Sequence, residues 1–187
     1  MIQGNLDALA QSLEKQELEA AATGLAVPPQ VYTQLLAIYL YQYDLCNAKY
    51  LWKRIPNSVK FGNTELQNIW KVGKKMWQRD FPGIYVALNE QWSNDIAEIM
   101  HKLLEKVRQK AAHLVATAYT SLSLDALSAF TGLPPDRAAK QGLEAGWQID
   151  PDTNIVRPCR PSTGPVEVVC CEDQISKLTD FVSFLEN

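Results

Sequence analysis

Few side chains in this sequence are of the types that catalyse reactions or hold a metal, and their spacing does not assemble them. The two histidines, His101 and His113, lie twelve residues apart on one long helical region. Neither belongs to an H-x-H or H-E-x-x-H pattern, or to a Cys/His pair with the spacing zinc requires. A nucleophilic triad needs a histidine base oriented by a carboxylate, and no elbow or loop motif surrounds either residue. The four cysteines are Cys46, Cys159, Cys170 and Cys171. They contain no C-x-x-C pair and two are adjacent, which suits reduced thiols in the cytosol or nucleus better than a disulfide framework. Cys46 reads as a small core residue. The nine glycines are scattered at helix ends and turns, and none form a phosphate-binding loop. These residues point to a protein that is no enzyme and has no metal or cofactor site.

The cations are better organised. Lys71, Lys75 and Arg79 recur at i, i+4 and i+8, with Lys74 beside them and Lys53, Arg54 and Lys60 nearby in sequence. Such a stripe is a candidate contact face for an acidic partner or for phosphates. More simply, it is the solvated side of a helix whose other face carries Ile69 and Trp70.

The bulk properties select no charged partner. With 18 Lys and Arg against 21 Asp and Glu, the net charge is −3, too small to draw the chain to nucleic acid or an anionic membrane. Apolar content of 47% and charged content of 21% are ordinary for a globular chain. A compact monomer of this size buries roughly 70% of its unfolded surface, enough for a real core. The amino terminus, MIQGNLDALAQSLEKQE, is acidic and amphipathic, without a basic n-region or a continuous apolar stretch. No secretory signal is expected, and no run approaches the ~20 apolar residues of a membrane span.

Prolines divide the first 110 residues into short helices. Pro28-Pro29 suits the first turn of a helix beginning near Gln30, because proline lacks only an N–H that is unpaired there anyway. That helix carries Val31, Leu35 and Ile38, widened by Leu36, Tyr39, Leu40 and Tyr43. After a break at Tyr43–Asp44, Leu45, Ala48, Trp52 and Ile55 mark a second helix that Pro56 ends. Thr64 with Gln67 reads as a capping box opening a third, buried along Leu66, Ile69/Trp70, Gly73 and Met76/Trp77. Pro82 restarts a short helix with Ile84, Tyr85 and Leu88. Ser93 then caps a long one with Ile96, Ile99, Met100, Leu103, Leu104 and Val107 inward, which extends through Leu114, Val115, Ala118 and Tyr119. No 34-residue period is present, so an irregular helical repeat over residues 1–110 is expected in place of a regular TPR array.

The pattern changes after Tyr119. Leu122, Leu124, Leu127 and Phe130 suggest a short helix stopped by Gly132, and Pro134-Pro135 opens another over Asp136–Ala145, stopped by Gly146. Trp147–Asp150 and Asn154–Arg157 flank the turn Pro151-Asp152-Thr153, giving a hairpin. Helix, helix and hairpin make residues 111–157 winged-helix-like. Residues 158–173 read as a linker, and 174–187 as a terminal amphipathic helix carrying Ile175, Leu178, Phe181, Val182, Phe184 and Leu185. The fold class expected is mainly α: a helical-repeat (TPR/HEAT-like) superhelix, a winged-helix subdomain and a C-terminal helix.

A winged helix invites a nucleic-acid reading, and its second helix argues against one. Arg137, Lys140 and Gln141 stand against Asp136 and Glu144, while Asp150 and Asp152 at the hairpin turn repel a phosphate backbone. The tail is the clearer interaction element. A helix shorter than about 12–15 residues is marginal alone in water. Burying six apolar side chains contributes on the order of 10 kcal/mol toward docking it. The occupant of that stripe is either its own domain or a multi-helix bundle.

Four segments then carry a specific resemblance: NAKYLWKRIP (47–56), IWKVGKKMWQRDFPGIY (69–85), AYTSLSLDALSAFTGLP (118–134) and LTDFVSFLEN (178–187). In order and over nearly the whole chain, the sequence resembles the subunit 8 family of the COP9 signalosome, which are PCI-domain proteins. The linker 158–173 is short for that family. The resemblance implies a helical repeat followed by a winged helix (the PCI arrangement) and a C-terminal helix. It implies a non-catalytic scaffold of an assembly that removes Nedd8 from cullins, with the JAMM-type zinc site in a sister subunit. Partners implied are the other signalosome subunits and, through them, cullin-RING ligases, in the nucleus and cytoplasm. The hairpin residues Trp147, Ile149, Ile155 and Val156 would supply a pairing edge. Ile175, Leu178, Phe181, Val182 and Leu185 would enter a helical bundle. The alternatives are a PCI subunit of the proteasome lid or of the translation initiation factor 3 complex, or a free-standing winged-helix nucleic-acid binder using Lys71, Lys75 and Arg79.

Overall fold

The computed structural model describes residues 2–24, 27–151 and 153–160, together with residues 179 and 182. The chain is mainly helical, as expected. Helix α2 (Pro29–Gln42) is the centre of the larger core. Pro28 precedes it in an extended conformation and Pro29 occupies its first turn, where a missing N–H costs nothing. Val31 to Thr33 and Leu35 to Leu40 are all buried, so this helix is apolar on every side and must be surrounded. Thr33, a polar residue inside it, donates its hydroxyl to the Pro29 carbonyl at 2.6 Å.

Four elements enclose α2. Helix α1 (Ile2–Thr23) buries Ala10 and Leu13 against it. The Tyr39 hydroxyl donates to Glu14 at 2.6 Å, and Arg54 grips Glu17 with two nitrogens at 3.1 and 2.9 Å. Helix α3 (Leu45–Arg54) starts on Asp44, whose carboxylate accepts the Asn47 N–H. Between α3 and α5 lies α4 (Asn57–Gly62), one and a half turns with no buried residue, which no apolar period marks in the sequence. Helix α5 (Thr64–Gln78) buries Leu66, Ile69, Val72, Gly73 and Met76.

The start of α5 differs from expectation. Asn63, not Thr64, is the cap, and its side chain accepts the Leu66 N–H at 3.1 Å. Thr64 is already within the helix. Gln67 does not reach back along the capping box, and its amide donates to the Lys60 carbonyl, tying α4 to α5. Trp77, expected inward, is 53% exposed, because it lies beyond the strip that faces α2. Helix α6 (Phe81–Leu88) is capped by Asp80, and α7 (Asn94–Ala118) completes the enclosure. Ser93 precedes α7 without a side-chain cap bond, and its backbone N–H donates to Glu65 instead.

A second, smaller core gathers Val115 and Ala116 of α7 with Leu122, Leu127, Ala138, Trp147 and Val156. Here Leu122 belongs to a short strand, β1 (Leu122–Ser123), and the helix expected from that residue begins two later as α8 (Leu124–Thr131). The Ser123 hydroxyl caps it by accepting the Ala126 N–H. Helix α9 (Pro135–Glu144) follows, then β2 (Gln148–Asp150) and β3 (Ile155–Arg157). The three strands are antiparallel in the order β1-β3-β2, with Val156 opposite both Leu122 and Ile149.

The two cores meet where α6 touches α8. Tyr85 of α6 donates its hydroxyl to the Phe130 carbonyl at 2.8 Å. Phe81 meets Phe130 edge-on with centroids 5.9 Å apart, and Tyr119 leans on the same ring at 5.8 Å. Gly132 ends α8 at φ +63°, and any Cβ there would run into the Tyr85 ring. Glycine is needed twice over, for its backbone and for the space. At Gly146, with φ +77°, nothing among the described residues lies within 4 Å of where a Cβ would stand. Gly146→Ala should therefore cost only the left-handed backbone penalty of about 1–2 kcal/mol. Gly132→Ala should cost a further ~1–3 kcal/mol from overpacking against Tyr85. Denaturant midpoints of the two variants check this, and equal losses would refute the Tyr85 contact as the cause.

Candidate interaction surfaces

The residue types that open questions of chemistry lie apart on the surface. His101 is exposed on α7 beside Glu105 at 3.9 Å, and His113 is exposed a dozen residues further along the helix. Cys46 is exposed, not a core residue, because it sits one position after the start of α3, on the side away from α2. Cys159 is also exposed. Cys170 and Cys171 lie outside the described residues. Among the described residues no three His, Cys, Asp or Glu side chains gather around a common point. None of their helices is long and apolar enough to cross a membrane.

The basic stripe is split by the end of α5. Arg79 is not on the helix but at its cap, with φ +57°. Lys75 is spent on the next turn: its ammonium bridges Asp80 at 2.8 Å. Asp80 meanwhile accepts the Gly83 N–H to start α6. The Lys75 bond, with the Gly83 N–H second, holds the Asp80 carboxyl below the usual carboxylate range. Lys71 stays on the helix surface, its ammonium donating to Asn68 at 2.8 Å. Three residues expected on one face thus serve three different settings.

The hairpin residues also separate. Val156 is fully buried and Trp147 nearly so, while Ile149 is half-buried against the same core. Ile155 and Val156 lie on the central strand, paired on both sides. The pairing edge that the hairpin offers is therefore the backbone of β2, Gln148–Asp150. Beyond the sheet, Val182 is helical and 51% exposed. Ile175, Leu178, Phe181 and Leu185 lie outside the described residues.

An aromatic cluster on α3 and α5 has no counterpart in the sequence pattern. Trp52 of α3 stacks on Trp70 of α5 with centroids 5.0 Å apart and planes within 8°. Lys60 sits over Trp52 at 5.4 Å and Lys49 over Trp77 at 4.9 Å. The visible signal was tryptophan at both i and i+7 of α5. Aromatics at helical spacing usually mark core, so the sequence pattern alone places both rings inward.

Comparison with known proteins gives a consistent result. A family model described as the CSN8/PSMD8/EIF3K family matches residues 27–165. A Xenopus laevis protein named COP9 signalosome complex subunit 8 is 51% identical over 96% of this chain and 91% of its own length. The Danio rerio protein of that name is 50% identical over 93% and 91%, and that of Dictyostelium discoideum 31% over 97% and 92%. The resemblance drawn from the four sequence segments is borne out.

The Lys75–Asp80 bridge makes a prediction about acid. Asp80 has a lowered native pKa, so its contribution to stability is present above the ordinary carboxylate range and is lost as pH falls through the depressed native value. Thermal melts of Asp80→Asn, which keeps a capping acceptor, should stay closer to wild type than those of Asp80→Ala. The gap between wild type and Asp80→Asn should close at low pH. A gap independent of pH would remove the ionic part of this account.

Proposed function

Given that this chain belongs to the CSN8/PSMD8/EIF3K family, we propose that it is a non-catalytic scaffold subunit of the COP9 signalosome. The carrying observation is half-identity to proteins of that name across almost the whole of both chains. In this reading α1 to α7 form an irregular helical-repeat superhelix. The elements from the end of α7 to β3 form a winged helix, and residues 174–187 form a docking helix. The subunit supports removal of Nedd8 from cullin-RING ligases by holding its neighbours in place, in the nucleus and cytoplasm.

Two contacts do the holding. Strand β2, which ends the order β1-β3-β2, pairs with a strand of a neighbouring subunit, since main-chain hydrogen bonding can continue across the edge of a sheet. The tail inserts Ile175, Leu178, Phe181, Val182 and Leu185 into a shared helical bundle. A PCI subunit of the proteasome lid or of translation initiation factor 3 is the second reading, because the family description pools all three lineages. Mass spectrometry of co-purified partners separates them.

Reconstitution with Leu178→Asp, Phe181→Asp and Leu185→Asp together should abolish incorporation into the complex while leaving the melt of the isolated chain unchanged. Normal incorporation sinks the tail assignment. Independently, hydrogen exchange should show backbone amides within Gln148–Asp150 becoming protected when the subunit enters the assembly. Unchanged exchange there would remove β2 as an interface.

A further inference from the structure

A surface formed by α3, α4 and α5 is left unused by both contacts proposed above. Between α3 and α5 opens a groove of about 170 Å³ whose floor is Leu40, Leu45, Ala48 and Gly73. Gly73 keeps it open: a Cβ there would lie 3.2 Å from Leu40 Cδ2. Trp70 forms one wall, and on its other side is a second hollow of about 370 Å³ bounded by α4. Phe61 stands there 80% exposed.

The rims are cationic although the chain as a whole is not. Lys49 and Lys74 border the groove, and Lys60, Lys71 and Lys74 border the hollow. Among the described residues, neither lining contains a carboxylate. Among the described residues, none of these four lysines forms an ion pair. Lys49 and Lys60 rest over the Trp77 and Trp52 rings, which hold their ammonium groups beside the apolar floor.

We propose that this face docks an acidic, amphipathic peptide segment of a partner protein. A large apolar side chain enters the α3–α5 groove, and flanking carboxylates meet Lys49 and Lys74 on one side of Trp70 and Lys60 and Lys71 on the other. Charge complementarity chooses this occupant: a lysine rim around an apolar floor steers and orients an anionic chain that carries an apolar anchor. A single-stranded nucleic acid fits less well. Stacking of bases needs open ring faces, whereas here Trp52 and Trp70 cover each other and lysines lie over Trp52 and Trp77. The aliphatic floor has no group to read a base edge.

The full chain panned against a random-peptide library tests this, with the recovered peptides synthesised and titrated by fluorescence anisotropy. The expected peptides combine one or two large apolar residues with Asp or Glu on both flanks, and their binding weakens as salt is raised. Lys49→Glu with Lys74→Glu, and separately Trp77→Ala, should each weaken them by about tenfold or more. These side chains are at the surface, and unchanged thermal melts confirm the fold. Recovery of no such peptide, or equal binding by the variants, overturns the proposal. So does a poly-uridine oligonucleotide that binds at physiological salt and is lost in the same variants, which would make the face a nucleic-acid site. Self-association of the wild type that the double variant abolishes would assign the face to a second copy of the chain.

Discussion

A helix with no polar face cannot rest on the surface of anything, and α2 is such a helix. Its nine buried residues run from Val31 to Leu40 with a single gap at Gln34. It follows that α1, α3, α5 and α7 must all pack around it, and the polar residues that remain near it are those with partners. Thr33 turns back to its own helix, and Tyr39 reaches Glu14. Burial and the Glu14 bond together raise the Tyr39 phenol well above its ordinary value, while burial alone pushes Tyr43 up to about 12. Both shifts have one physical origin, since ionising a phenol inside this ring of helices would strand a charge away from water.

The second core depends on the first through a narrow joint. Helix α7 lends its last turns to the smaller cluster, and α6 presents Tyr85, which fills the space that Gly132 leaves vacant. Phe130 gives its carbonyl to Tyr85 and its ring to Phe81 and Tyr119. A tyrosine whose hydroxyl is bonded and whose ring abuts a glycine backbone has one position, so the sheet and its two helices are held at a fixed angle to the larger core.

How much of this was legible depends on length. The proline-bounded helices α2, α3 and α6 could be placed from the sequence, because a missing N–H and a fixed φ act locally. The two-residue β1 and the six-residue α4 could not: neither is long enough to show a period. Asn63 and Thr64 are both capping types, and only the backbone at Asn63 decides between them. Trp77 and Cys46 were misplaced because composition says what a side chain prefers, not which side of its helix meets a neighbour. The stripe of Lys71, Lys75 and Arg79 failed as a unit for a related reason, since α5 ends before its third member. The cationic face that does exist draws on three helices, and no single-helix period reports that.

The order β1-β3-β2 sets the scale of any strand pairing. With β3 in the middle, the edge left on β2 is three residues long, roughly 10 Å of backbone at the usual rise per residue. The few hydrogen bonds such an edge can make each contribute only about 0.5–1.5 kcal/mol net. Immobilising a whole protein costs several times that. An edge this short is too weak to recruit a stranger, which protects the free chain from edge-to-edge aggregation. It becomes useful only after another contact has brought the right strand within reach and raised its effective concentration. In the proposed assembly the sheet would check alignment late, after a different surface had made the first capture.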